Sequence, residues 1–218
     1  MIYNQEKIAE FIRLTTEDYS RSLVIEDIAT VRTTEKTDGS FIQIGIRPVI
    51  EDDIFIDPSF HPSLPSAGMM VAMGERDFLI QTIIDNKQIK KIEVKEDITE
   101  FPKYIESNNS YILLSNKFYV EVFTKLMRRI DYEERVPRLD YGNRIIIVPE
   151  KVLDNKIIII GKNAIIWERE LFGNGTLDIL IKPAKEIGKV DITIRSVNKI
   201  KYLDTDSILV LEVKDGKA

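Results

Sequence analysis

The sequence predicts an α+β fold, built from a short N-terminal helix, an extended β-hairpin, one long helix and a C-terminal α/β domain. Three observations carry that expectation. The Thr- and Val-rich residues 28–36 and the alternating residues 41–47 flank Asp38-Gly39, which is hairpin chemistry because glycine supplies the positive φ of a tight turn. Residues 67–85 are largely apolar and free of proline over a length suited to a helix. Two isoleucine blocks, residues 145–147 and 157–160, lie close before Pro149 and Gly161 and have the length of strands buried on both faces. Neither block approaches the roughly 18 consecutive apolar residues of a membrane span, so they read as core and not as an anchor.

Composition sets the outer bounds. The chain has 218 residues, 44% hydrophobic and 31% charged, enough for one large domain or two small ones. A formal net charge of -5 and a pI of about 5.2 leave no broad basic surface for phosphates, which makes duplex DNA a poor principal partner. Without cysteine there is neither a disulfide nor a thiolate metal site, a pattern that suits a reducing cytosol. The opening MIYNQEKIAEF lacks the basic and apolar regions of a secretory signal, so a cytoplasm is the expected location.

Taken in order, a first helix is expected over residues 5–14, with Ile8, Phe11 and Ile12 on one face and charged residues around the rest. The hairpin follows, then a third extended piece over residues 49–56 and the proline-punctuated connector SFHPSLPS. Ser66 is placed to cap the long helix, whose first half is apolar almost all round and therefore buried on several sides; Gly68 and Gly74 would admit other backbones. A β-patterned excursion around Ile89, Ile92, Val94 and Ile98 leads to a short buried strand at residues 110–114. Ser115 or Asn116 then caps a helix running to about Ile130, with Tyr119, Val122, Phe123, Leu126 and Ile130 as its apolar stripe. After the isoleucine strands and a third run at residues 163–167, Val190, Ile192 and Ile194 alternate with polar residues. Residues 208–213 close the chain after the turn Asp204-Thr205-Asp206. The expected segments are residues 1–27, 28–58, 59–109 and 110–218.

No catalytic set emerges. His61 is the sole histidine and stands in the proline-rich connector, and Gly173-Asn174-Gly175-Thr176 lacks the lysine and spacing of a phosphate loop. The best enzymatic pattern is a carboxylate, Asp57 or Asp53, followed by Glu93-Val94-Lys95, an arrangement with which nucleases hold Mg²⁺ and assist water. Glu-Val-Lys recurs at residues 212–214, and the plain alternative is a solvated strand face. No cofactor or metal site is expected.

The order of elements resembles the major capsid fold of tailed bacteriophages, shared by encapsulin nanocompartments. SYILLSNKFYVEVFTKLM is similar to the strand and helix of that family's axial domain, RIIIVPEKVLDNKIIIIGKNAIIWERE to its next strands, and KVDITIRSVNKIKYLDTDSILVLEV to the closing pair. ATVRTTEKTDGSFIQIGIRPVI resembles the extended hairpin that laps onto a neighbouring subunit, and GMMVAMGERDFLIQTI the spine helix. The resemblance implies a structural protein that assembles with copies of itself into a closed icosahedral shell, either a nanocompartment enclosing protein cargo or a viral capsid enclosing DNA. It implies no membrane, and nucleic acid only in the viral case, where the location would be a virion. It also implies that Ile8, Phe11 and Ile12 face cargo, with packing on their own subunit as the alternative. Phe41, Ile42, Ile44 and Ile46 would form the inter-subunit clasp. A nuclease using Asp57, Glu93 and Lys95 is the alternative of another class.

Overall fold

The computed structural model describes residues 5–22, 25–46, 49–51, 54–56, 66–95, 104, 110–120, 144–173, 175–183, 185, 190–202 and 204–214. In chain order its elements are α1 (Gln5–Ser22), α2 (Ile25–Ile28), β1 (Thr30–Thr34), β2 (Ser40–Ile46), β3 (Val49–Glu51), β4 (Ile54–Ile56) and α3 (Ala67–Asp85). There follow β5 (Lys90–Lys95), β6 (Tyr111–Ser115), β7 (Arg144–Val148), β8 (Lys156–Ile160), β9 (Ile165–Glu170), β10 (Asp178–Pro183), β11 (Val190–Tyr202) and β12 (Ile208–Lys214), with helical turns at Asn116–Phe118 and Glu150–Leu153. They fall into two compact units, residues 1–78 with 167–201 and residues 79–166 with 202–218, so the chain visits each unit twice.

In the first unit, α1 runs two turns beyond the expected end at Leu14. Thr15 and Tyr19 continue the stripe begun by Phe11 at a spacing of four, and all three are buried. The Thr16 hydroxyl donates to the Ile12 carbonyl at 2.9 Å and is satisfied inside the helix. On the outer face Arg13 bridges Glu10 and Glu17 at 2.7 and 2.5 Å. Helix α3 is capped as expected, with the Met69 amide on the Ser66 hydroxyl at 3.3 Å. It crosses α1 at Gly68, where a Cβ would lie 2.0 Å from the Thr15 carbonyl oxygen. Gly74 instead faces a side chain, Ile42. Burial is not all round, because Met69 and Met70 are each about 40% exposed.

The expected hairpin about Asp38-Gly39 does not form. β1 pairs with β9 and β2 pairs antiparallel with β11, so the two strands share a sheet without being neighbours. The connection between them is five residues long, and its chemistry serves docking rather than a tight turn. The Thr37 amide donates to Glu170 Oε2 at 2.9 Å, Asp38 pairs with Lys199 at 2.5 Å, and a Cβ on Gly39 would lie 2.1 Å from the Asn198 carbonyl oxygen. The hairpin of this region is instead β3–β4, with Val49 opposite Ile56 and Glu51 opposite Ile54 in a separate two-stranded sheet. The sequence expectation had these residues as one extended piece.

The second unit answers the isoleucine blocks. Its sheet has the order β5-β12-β8-β6-β7, parallel at the two outer pairs and antiparallel within. β8 is central, and all four of its isoleucines are buried, as a strand covered on both faces requires. Among the described strands β7 lies at the edge, and there Ile147 is exposed while Ile145 and Ile146 are buried. One face packs Val94, Ile112, Leu114, Phe118, Ile145, Ile157, Ile159, Leu211 and Val213 into a single core. Ser115 caps the turn after β6 as expected, accepting from the Phe118 amide. The rest of the expected helix to Ile130, with Val122, Phe123 and Leu126, lies outside the described residues. No helix among the described residues is long and apolar enough to cross a membrane.

Candidate functional site

Among the described residues, no cluster of three or more His, Cys, Asp or Glu side chains is placed to hold a metal. Asp53, Asp57 and His61 lie outside the described residues. Glu93 is exposed on β5 and pairs with Lys214 of β12 at 2.6 Å. The two strands run parallel, with Glu93 beside Glu212 and Lys95 beside Lys214 in the register, and the valines of the repeated Glu-Val-Lys, Val94 and Val213, point into the core. Hydrophobic alternation explains the repeat, and the described residues do not assemble the nuclease set.

The residues expected at a subunit interface separate by face. Ile42 and Ile44 pack against the first unit's own core of Phe11, Tyr19, Val71, Ala72 and the β11 residues Val190, Ile192 and Ile194. Phe41 points the other way, opposite Val197 on β11, and is 65% exposed. Ile46 ends β2 opposite Ile192 in the register. Of the residues expected to face cargo, Phe11 is buried in that same core, Ile12 packs against it, and Ile8 is partly exposed.

Sequence reasoning missed a buried polar cluster in the first unit. Glu75 of α3 is fully buried; its Oε1 accepts from the Tyr19 hydroxyl at 2.7 Å and from Asn198 Nδ2 at 3.0 Å. Its Oε2 accepts from Arg169 at 3.0 Å. Asn198 also accepts from the indole of Trp167 at 2.9 Å and donates to Ser196 at 2.9 Å. The Arg169 guanidinium stands over the Tyr19 ring, 5.4 Å from its centroid, and reaches Glu26 of α2 at 3.5 Å. Burial, reinforced by the Glu75 charge, pushes the Tyr19 hydroxyl well above the ordinary tyrosine range. A signal was present in the sequence: Ala67, Val71, Leu79 and Ile83 form a stripe at a spacing of four, and Glu75 occupies its middle position.

No protein-family model and no curated protein sequence matches the chain. Among solved structures it is similar to the virus-like particle of Pyrococcus furiosus, at 13% identity and a TM-score of 0.64, over 93% of this chain and 98% of that one. It is similar to the capsid protein of cyanophage P-SCSP1u at 11% identity and 0.57, over 89% of each chain. It is also similar to the holo-SrpI encapsulin of Synechococcus elongatus at 10% identity and 0.55, over 80% of this chain and 73% of that one. The fold is therefore the α+β fold of tailed-phage capsid and encapsulin shell proteins.

Proposed function

We propose that the chain is a structural protein that assembles with many copies of itself into a closed shell. One observation carries the reading: the likeness to the Pyrococcus furiosus particle spans 93% of this chain and 98% of that one, so the two chains share nearly their whole architecture. Closure follows from heterologous contacts that repeat around rotation axes. Within the described chain we assign those contacts to the β3–β4 hairpin and to the exposed ring of Phe41. Ile42 and Ile44 serve the subunit's own core. The acidic balance, -5 overall, favours protein contents in a prokaryotic cytoplasm over packed DNA in a virion. Ile8 and the outer face of α1 are the cargo-facing candidates, since Phe11 is held in the core.

Size-exclusion chromatography with light scattering tests the assignment. A shell protein elutes at megadalton mass across salt and concentration; a stable monomer or dimer under all conditions contradicts it.

A further inference from the structure

We propose that the buried Glu75–Arg169 pair is a latch for the N-terminal helix: α1 is a separable strap on the first unit, held in one docked position by Tyr19 and released as a body when that contact is lost. The inference rests on the geometry of one unit and holds whether or not the chain forms a shell.

The members of the cluster are attached in different ways. Arg169 and Asn198 stand on β9 and β11, inside a hydrogen-bonded sheet, and Glu75 stands on α3. α1 belongs to no ladder. It is held by the apolar stripe around Phe11, by the close crossing at Gly68, and by Tyr19, the one residue of α1 among the described side chains that joins the Glu75–Arg169 cluster.

Tyr19 makes two contacts at once, donating its hydroxyl to Glu75 and laying its ring beside the Arg169 guanidinium. A slide of α1 by one turn, about 5.4 Å, would bring Thr15 to that place. Threonine is too short to reach, so that slide leaves Glu75 without its hydroxyl donor from α1. Buried charge pairs add little net stability over an apolar core, and their best-attested use is to fix a register or a switch. The pair has little reserve here, because Arg169 Nε is buried without a partner in the structure.

α1 covers Ala67, Val71 and Ala72 of α3, and its release would open that apolar face. Both carboxylates of Arg169, Glu75 on α3 and Glu26 on α2, lie outside α1, so the guanidinium stays paired when α1 lifts.

Hydrogen exchange on the full chain, read by mass spectrometry of peptides, tests the latch with three variants. Tyr19→Phe keeps the ring over Arg169 and removes only the donor. It is expected to speed exchange across residues 8–20 about tenfold or more, the loss expected for a hydrogen bond to a buried charge, while β8, β11 and β12 stay within about twofold. Glu75→Gln is expected to act on the same residues in the same direction. Arg13→Ala, which removes exposed ion pairs of the same helix, is expected to change α1 exchange by no more than about twofold. The emission of Trp167, the sole tryptophan, reports the frame and is expected to stay unshifted in Tyr19→Phe. Unchanged α1 exchange in Tyr19→Phe overturns the proposal. So does acceleration of β11 equal to that of α1, or a red shift of Trp167, because either makes Tyr19 an ordinary part of one core. If Glu75→Gln does not fold, Tyr19→Phe and the emission decide alone.

Discussion

β8 and β11 cross the interiors of their units with opposite chemistry. β8 buries four isoleucines, two to each face, and asks of its neighbours only that they be apolar and of the right size. β11 begins in the same way with Val190, Ile192 and Ile194, then keeps the same face inward through Ser196 and Asn198. Asn198 is there for Glu75 and Trp167. An apolar interior fails by degrees, since each lost methylene removes a portion of transfer energy and leaves a cavity. A buried charge network fails at once, because removing one member leaves another desolvated and unpaired.

That contrast sets the largest expected effect. Arg169→Met strands Glu75 in the core and is expected to cost about 3–5 kcal/mol in a urea unfolding midpoint, although it preserves most of the volume. Adding Glu75→Gln to it, which removes the stranded charge and keeps an acceptor for Tyr19 and Asn198, should recover much of the loss, which no cavity model of the site would give. Ile158→Val, an equally conservative change in β8, is expected to cost only about 0.5–1.5 kcal/mol. Equal costs for the two conservative changes would erase the distinction between the interiors.

An intermediate effect lies in alkali. The Tyr19 hydroxyl is held protonated in the folded chain well beyond the value of about 10 that it has when unfolded. Its contribution is therefore full below about pH 10 and is lost as the pH rises from there toward the folded value, at up to about 1.4 kcal/mol per pH unit. Unfolding midpoints measured between about pH 10 and 11.5 should fall more steeply for the wild type than for Tyr19→Phe. Parallel slopes would mean that Tyr19 ionises freely and is not sealed in the cluster.

The smallest stability effect is expected on the outer face. Phe41→Asp touches no core and should move the subunit's stability by no more than about 0.5 kcal/mol, while lowering the assembled fraction seen by light scattering. Ile42→Asp should do the reverse of what a free arm implies and unfold the first unit, because Ile42 packs on its own core. Wild-type assembly in Phe41→Asp would remove that ring from the subunit contacts.

The same contrast explains what the sequence disclosed. Isoleucine blocks identify β8 because burial on two faces leaves no other residue class acceptable there. The caps at Ser66 and Ser115 are equally local, one hydroxyl accepting from one amide, and are readable for that reason. The hairpin was misplaced because Asp-Gly chemistry is local, whereas the partners of β1 and β2 come from residues more than a hundred positions away. α1 ends late for a related reason: Tyr19 continues the buried stripe of the helix and gives its hydroxyl to Glu75, a partner from a distant part of the chain. Partners of a buried polar group are fixed by the fold, and alternation alone does not show them.

Negative-stain electron microscopy of the purified wild-type protein tests the shell reading most directly. Closed particles of uniform diameter in the high-mass fraction are the predicted result. Well-folded protein that shows no closed particles in any fraction, at any salt or concentration, would contradict it.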